Sequence, residues 1–207
     1  SSVTIIDEKF LSNSTEHFLG DVLNTSSTSA NFFQSGGHGT ASAIQLRGMP
    51  KRYSTVYIDG VKMSDPSSVS GDFDFNNILT SQVSRVEILK GNQSSIYGSG
   101  AIGGTIHIFT KQGKSGFSKD VQYVTGSHNT HNLSASLSGG NNNSKYYFGL
   151  QRFQTDGISQ MTHNDEKDRY RNNGLIASYS KKFSDKFELK SNARFAETYL
   201  QYDAACV

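Results

Sequence analysis

The sequence has no tryptophan, one cysteine and two prolines in 207 residues. The single cysteine, Cys206, has no partner for a disulfide within the chain. No apolar run reaches the length of about 20 residues that a membrane-spanning helix needs, which excludes a helical membrane protein. The 20 basic and 18 acidic residues nearly cancel to a net charge of +2, so nothing in the charge predicts a nucleic acid partner.

Glycines, aromatic residues and short β-branched runs are abundant instead. The chain has 20 glycines, ten tyrosines and thirteen phenylalanines, while only 34% of its residues are hydrophobic. This composition is poor for a large helical core and typical of many short strands joined by polar turns. One helix is nevertheless predicted over residues 15–24, where Phe18, Leu19, Val22 and Leu23 recur at helical spacing as core residues.

Residues 83–111 form the most informative stretch, VSRVEILKGNQSSIYGSGAIGGTIHIFTK. A predicted strand leads into a glycine-rich connector and a second predicted strand. Gly98, Gly100 and Gly103 match the G-x-G-x-x-G fingerprint of dinucleotide-binding proteins. That fingerprint requires a following helix whose N-terminus holds the pyrophosphate. Here a β-branched run follows, which argues against nucleotide binding.

The same stretch resembles the C-terminal half of the plug domain of TonB-dependent outer-membrane receptors. The R-V-E triplet beginning at Arg85 and the Y-G-x-x-A-x-G-G pattern beginning at Tyr97 carry this resemblance, although Asn92 stands where the family usually has proline. Upstream, IQLRG and TVYIDGVKM resemble the first half of the plug, with Leu46 in place of isoleucine. The resemblance covers roughly residues 3–111 and implies a plug over residues 1–113.

The C-terminal part, residues 119–207, shows period-2 alternation in segments of about ten residues, as in outer-membrane barrel strands. Tyr146, Tyr147, Phe183 and Tyr199 near segment ends suit interfacial aromatic girdles. We therefore predict an α+β plug domain, a small mixed sheet with short helices, followed by antiparallel strands of an incomplete transmembrane β-barrel. These would be the first five or so strands of a barrel of roughly 22. A soluble β-sandwich with one wet face is the alternative.

Loop lengths predict the orientation of these strands. Residues 156–169 form a longer loop, expected outside the cell, and residues 139–144 and 184–186 form short turns, expected on the periplasmic side. The resemblance further implies that the chain lacks most of its barrel and the N-terminal energy-coupling segment.

Three plug residues are predicted to contact the barrel, because family members attach the plug through arginines and barrel carboxylates: Arg47, Arg85 and Glu87. Acids such as Glu188 would form ion pairs with the arginines, since burying an unpaired arginine costs free energy. The alternative is a local Arg85–Glu87 surface contact. The ligand is expected to face the apical plug loops, through Lys51, Arg52, Tyr53, Ser64, Asp65, Ser68, Ser70, Asp72, Asn92 and Ser94.

An acidic outer loop is the only candidate metal site. This sequence most resembles the cobalamin receptors of the family, and those receptors bind calcium through loop aspartates. Carboxylate oxygens suit Ca²⁺, and the candidate ligands are Asp156, Asp165, Glu166, Asp168 and Asp203. A solvated acidic loop without metal is the alternative. His128 and His131 lie on a turn and a strand and lack convergent ligands.

Together these resemblances imply an energy-coupled receptor of the bacterial outer membrane, with its plug facing the periplasm and with TonB and lipid as partners. It would import a scarce, large nutrient, with cobalamin preferred to a ferric siderophore or haem. A non-transporting β-rich adhesion or scaffold protein is the alternative from another class. The sequence shows no catalytic constellation, so no enzyme is expected.

Separate expression of the two parts tests the predicted division. Residues 1–113 are expected to give a soluble monomer, whereas residues 119–207 are expected to aggregate because their strand edges lack partners. Size-exclusion chromatography of both fragments measures this. A soluble, monomeric 119–207 fragment would contradict the barrel assignment.

Overall fold

The computed structural model describes residues 2–26, 30–34, 38, 40, 42–50, 53–63, 73, 75, 78–157 and 168–201. The chain divides into two compact units, Ser1–Ser35 with Thr40–Thr110 and Gly36–Gly39 with Lys111–Val207. The first unit is a mixed sheet with short helices and the second an antiparallel meander, which confirms the predicted fold class. Within the described ranges, no helix combines the length and hydropathy needed to cross a membrane.

The first unit is built on a five-stranded sheet in the order β1-β6-β7-β4-β5. Only the β4–β7 pair is parallel, and the other three pairs are antiparallel. A separate hairpin pairs β2 with β3. The elements are β1 Ser2–Ile6, α1 Glu8–Asn13, α2 Leu19–Ser26, β2 Ala30–Gln34, β3 Ser42–Leu46, β4 Ser54–Ile58, β5 Val61–Met63, β6 Val83–Lys90, α3 Ser94–Tyr97 and β7 Gly104–Thr110.

The G-x-G-x-x-G stretch leads into strand β7, which begins at Gly104. The strand predicted after the glycine-rich connector is therefore confirmed, and a strand stands where the dinucleotide-binding fingerprint requires a helix. The glycine-rich connector contains α3 and a short 3-10 turn over Ser99–Ala101 instead.

Helix α2 supplies the centre of the first unit's core. Leu19, Val22 and Leu23 are fully buried, as their helical spacing predicts. The helix begins at Leu19, four residues later than expected, because the backbone of His17 and Leu19 forms hydrogen bonds to residues 78–80 instead. The Leu19 amide donates to the Ile78 carbonyl at 3.0 Å, and the Thr80 amide donates to His17 at 3.0 Å.

Helix α1 was not predicted. Its first turn is capped by Asp7, whose carboxylate accepts from the Phe10 amide at 2.8 Å. Such a cap satisfies an amide that has no partner within the helix. Only Leu11 of this helix is buried, so its sequence has no apolar periodicity from which to predict it.

Two adjacent glycines allow close backbone approaches in the first unit. The Gly103 amide donates to the Tyr53 carbonyl at 2.9 Å. Gly104 has φ +141°, and a Cβ added there would collide with the carbonyl oxygen of Leu89. A side chain at position 104 is therefore excluded both by backbone conformation and by space.

The second unit is one antiparallel sheet in chain order. Its strands are β8 Gly116–Gly126, β9 Thr130–Gly140, β10 Ser144–Thr155, β11 Tyr170–Ser184 and β12 Phe187–Leu200. Short turns join β8 to β9, β9 to β10 and β11 to β12, and the long connection of residues 156–169 joins β10 to β11.

One face of this sheet, the apolar face, exposes large hydrophobic side chains. They are Phe117, Val121, Tyr123, Leu133, Leu137, Tyr146, Phe148, Leu150, Tyr179, Phe183, Phe187, Leu189, Phe195 and Tyr199. The opposite face has buried polar side chains, among them Asn132, Gln151, Thr155, Asn172 and Ser178. A water-soluble sandwich would bury its apolar face, so this distribution favours strands whose apolar face contacts lipid.

The strand-end aromatic residues do not all lie on the apolar face. Tyr146 is exposed there, and its ring covers its cross-strand partner Gly139. Tyr147 is buried on the opposite face, so its assignment to an interfacial girdle was wrong. Adjacent residues of a strand point to opposite faces, and only one of the two tyrosines can contact lipid.

Substitution of Gly104 tests the close approach to Leu89. Gly104→Ala is expected to lower the free energy of unfolding of the 1–113 fragment by at least about 2 kcal/mol more than Gly60→Ala does. Gly60 is a matched control, since it also has positive φ, +84°, but nothing lies within 4 Å of an added Cβ. Urea denaturation measures both variants, and equal losses would contradict the steric argument.

Candidate functional site

Arg85 and Glu87 form a local pair on β6. Strand geometry puts positions i and i+2 on one face, where the Arg85 Nε donates to Glu87 Oε1 at 2.9 Å. The guanidinium carbon lies 4.0 Å from the centre of the Phe109 ring, a cation–π contact. The side chain of Arg85 is 51% exposed, so the pair contributes little to stability. The pair is the local surface contact that the sequence analysis gave as the alternative. Attachment of these residues to the barrel stays a prediction.

Arg47 lies in the turn after β3, at φ +55°. Its Nη1 lies 3.8 Å from the position a Cβ would take at Gly91, so its side chain reaches the turn that follows β6. The structure thus brings together the R-G and K-G turns of the two halves of the plug motif. Glu188, proposed as a partner acid, accepts from Lys190 Nζ at 3.3 Å.

A cluster of three rings, His107, Tyr57 and Tyr97, lies near Arg85 and Glu87, and sequence reasoning missed it. The His107 ring stacks on Tyr57 at 4.9 Å with an interplanar angle of 6°, and the Tyr97 ring meets its edge at 5.2 Å. The His107 Nε2 lies 3.1 Å from Thr105 Oγ1. Burial lowers the pKa of His107, against the opposing effect of Glu87, so its ring is neutral at physiological pH. The alternation of β4 and β7 signalled that Tyr57 and His107 share a face.

The connector after β6 is shaped by its own backbone. The Asn92 side chain accepts from the Ser94 amide at 2.9 Å, which starts α3. The Gln93 amide donates to the Ala101 carbonyl at 2.9 Å and closes the base of the connector. At its tip, Ile96 is 74% exposed. The side chain of Asn92, predicted to face ligand, therefore also shapes the connector.

Of the other predicted ligand-facing residues, Tyr53 is described. Its carbonyl accepts from Gly103 and its amide donates to the Pro50 carbonyl at 2.9 Å. Ligand contact by Tyr53, Asn92 and Ser94 stays a prediction. Outside the described residues lie Lys51, Arg52, Ser64, Asp65, Ser68, Ser70 and Asp72.

The acidic loop of residues 156–169, which is predicted to lie outside the cell, is described only at its two ends. Asp156 lies 3.7 Å from Arg169 Nε, and Gly157 contacts the backbone of Asp168, so the two ends of the loop meet. The described ranges contain no group of three or more histidine, cysteine, aspartate or glutamate side chains arranged to hold a metal ion. Asp165, Glu166 and Asp203 lie outside those ranges, and the calcium site stays a prediction.

An open groove of about 550 Å³ lies beside α1 and the residues that follow it. Its lining includes Asp7, Lys9, Phe10 and Glu16.

Glu16 also shifts the pKa values of two neighbouring residues. Burial, and secondarily the charge of Glu16, raises the pKa of Asp21 to about 6. Burial lowers the pKa of His17, where Glu16 opposes the change.

Comparison with known proteins identifies the class. A mixed-sheet plug followed by antiparallel strands of an open barrel portion is the architecture of outer-membrane receptors. A family model described as "TonB-dependent Receptor Plug Domain" matches residues 1–105, just over half of the 207 residues. The chain therefore belongs to the TonB-dependent receptors of the bacterial outer membrane, and the resemblance found in the sequence is confirmed.

Curated relatives include two described as "Vitamin B12 transporter BtuB". The one from Vibrio vulnificus is 28% identical over 213 residues, covering 99% of this chain and 33% of the relative. The one from Photobacterium profundum is 28% identical over 172 residues, covering 82% of this chain and 28% of the relative. This chain thus spans about a third of the length of its relatives.

Solved structures show the same fold. The siderophore receptor PirA from Acinetobacter baumannii matches with a TM-score of 0.78 at 16% identity, over 97% of this chain and 32% of that chain. The ferric enterobactin receptor PfeA from Pseudomonas aeruginosa, a Q482A mutant in complex with enterobactin, matches with a TM-score of 0.72 at 21% identity, over 95% of this chain and 33% of that chain.

The raised pKa of Asp21 predicts a pH dependence of stability. A carboxyl group with a folded-state pKa of about 6, above its ordinary value of 3.8, stabilises the fold fully below that ordinary value, and this contribution is lost as pH rises through the folded value. Asp21→Asn should therefore raise the free energy of unfolding of the 1–113 fragment at neutral pH, while leaving it unchanged below pH 3.8.

Urea denaturation across this pH range measures the effect. Glu16→Gln removes the smaller of the two causes, so it should reduce the wild-type pH dependence without abolishing it. Equal destabilisation by Asp21→Asn at both ends of the range would contradict the assignment.

Proposed function

We propose that the chain is part of an energy-coupled receptor that binds cobalamin and imports it across the outer membrane. The observation that carries this proposal is the match to the curated vitamin B12 transporters, which for one relative extends over 99% of the chain. Membership of the TonB-dependent family supports TonB as the energy-coupling partner. The relatives are transporters and receptors, which supports a binding and transport role without catalysis.

A ferric siderophore is the second candidate ligand. The solved structures described as siderophore receptors favour it, but at 21% identity or less they support the fold alone. The curated relatives have higher identity, 28%, and we therefore place cobalamin first.

Calcium would act in the outer loop. Asp156 and Asp168 lie at the joined ends of residues 156–169, where Gly157 contacts Asp168. Carboxylates from both ends of a loop suit Ca²⁺, which takes six to eight oxygen ligands. Bound calcium would hold the two ends of the loop together, and Arg169 would exchange its contact with Asp156 for solvent or for ligand.

Equilibrium binding to the receptor that contains this chain, purified in detergent, tests the ligand and the metal together. We expect saturable binding of cyanocobalamin that calcium strengthens and a chelator weakens. Asp156→Asn combined with Asp168→Asn should remove the calcium effect, because each substitution deletes an anionic oxygen ligand. Asp185→Asn is the matched control, since Asp185 is an exposed acid that pairs with Lys182 at 2.8 Å in the β11–β12 turn.

Two results separate the alternatives. Absence of saturable cobalamin binding with and without calcium would overturn the cobalamin assignment, and tight binding of a ferric siderophore in the same assay would replace it. If the affinity for cobalamin changes neither with calcium nor in the Asp156→Asn, Asp168→Asn variant, the ligand assignment stands and the calcium site is overturned.

A further inference from the structure

The apolar face of the second unit ends in two exposed arginines, Arg152 on β10 and Arg171 on β11, which we call the arginine patch. In the strand register Arg152 pairs with Asn173, and Gln154 pairs with Arg171. The two arginines are therefore diagonal cross-strand neighbours on one face, with a separation of roughly 7–8 Å or slightly less between their Cβ atoms.

Both guanidinium groups lack a carboxylate partner within the described ranges. Arg152 Nη2 donates to Gln154 Oε1 at 3.3 Å, and the Arg171 guanidinium carbon lies 5.5 Å from the centre of the Tyr199 ring. Glu197 is the acid nearest in register on this face, and it accepts from the Asn173 amide at 3.2 Å. The patch is thus a pair of cations held by neutral groups.

The patch lies where the apolar face ends. On β10 Arg152 follows the exposed Phe148 and Leu150, and Tyr199 of β12 is the cross-strand partner of Arg171. Another exposed tyrosine on this face, Tyr123 of β8, has its hydroxyl 2.7 Å from His131 Nδ1. Tyrosines at such a border mark the membrane–water interface.

The loop lengths give the side of the membrane. The patch is at the strand ends joined by residues 156–169, whereas the opposite ends carry the short turns at 141–143 and 185–186. Long loops lie outside and short turns face the periplasm in outer-membrane barrels. The patch is therefore level with the headgroups of the outer leaflet.

We propose that the arginine patch binds the phosphate groups of a phosphorylated lipid of the outer leaflet, whose acyl chains lie along the apolar face. A guanidinium group offers paired donors that match phosphate oxygens, and two of them at this spacing can each hold one phosphate of a doubly phosphorylated headgroup. A lipid fits better than a soluble anion, because the patch continues into the apolar face formed by Phe148, Leu150 and Phe195.

Lipid binding to the delipidated receptor in detergent tests the proposal. The probes are a diphosphorylated lipid A, the same lipid with its phosphates removed, and inorganic phosphate, each followed by native mass spectrometry. We expect the wild type to retain the diphosphorylated lipid, and Arg152→Gln with Arg171→Gln to bind it at least about tenfold more weakly. Arg152→Lys with Arg171→Lys should fall between, since lysine keeps the charge but loses the paired donors.

Lys119→Gln with Lys181→Gln is the matched control, because both lysines share the face of the exposed apolar residues but lie away from the patch, and this double variant removes the same charge. It should retain the lipid as the wild type does. Equal retention of the lipid by the Arg152→Gln, Arg171→Gln variant and the Lys119→Gln, Lys181→Gln control would overturn the proposal. Equal binding of the phosphorylated and dephosphorylated lipids by the wild type would also overturn it. Saturation of the patch by inorganic phosphate alone would show a soluble-anion site and would also overturn it.

Discussion

Backbone hydrogen bonding in a medium without water is the constraint on which the second unit depends. A strand in hydrocarbon must pair every amide and carbonyl with another strand, and each neighbouring pair from β8 to β12 forms a continuous ladder that is regular except at Lys182 and Ser184. With the backbone of the three inner strands β9, β10 and β11 paired on both sides, side-chain parity decides which face each side chain of these strands contacts. One register therefore puts the exposed apolar side chains on one face and the buried polar and aromatic side chains on the other, because a slip of one residue would exchange the two faces.

The first unit has a different constraint, the close approach of separate backbone segments. The Gly103 amide bonds to Tyr53, the residue before β4, and Gly104 lies against the Leu89 carbonyl of β6. The connector therefore meets both segments closely, and no side chain fits at position 104. These contacts give the Gly-Gly pair of the family motif a steric role. Gly103, the last glycine of the G-x-G-x-x-G pattern, therefore has a packing role before strand β7, although the same spacing occurs in phosphate-binding loops.

Regular periodicity made most of the fold predictable from the sequence. The strands of the second unit alternate apolar and polar residues over part of their length, and α2 repeats its buried residues at helical spacing. What could not be predicted depends on partners distant in sequence. The start of α2 is set by residues 78–80, which bond to His17 and Leu19. Tyr147 was misplaced because an aromatic residue at a strand end was considered without its parity, and the cluster around His107 forms only when β4 and β7 pair.

The connector that carries α3 has a consequence for how such receptors diversify. Its shape is held by the backbone bond between Gln93 and Ala101, by the side chain of Asn92 and by the ring of Tyr97, which packs against His107. The exposed side chain of Ile96 takes no part in these bonds. Substitutions at position 96 are therefore expected to change the exposed surface of the connector without breaking the contacts that shape it, so the predicted ligand-facing surface can vary on an unchanged backbone. Positions 92 and 97 are the exceptions, and there we expect selection to act on the shape of the connector before ligand specificity.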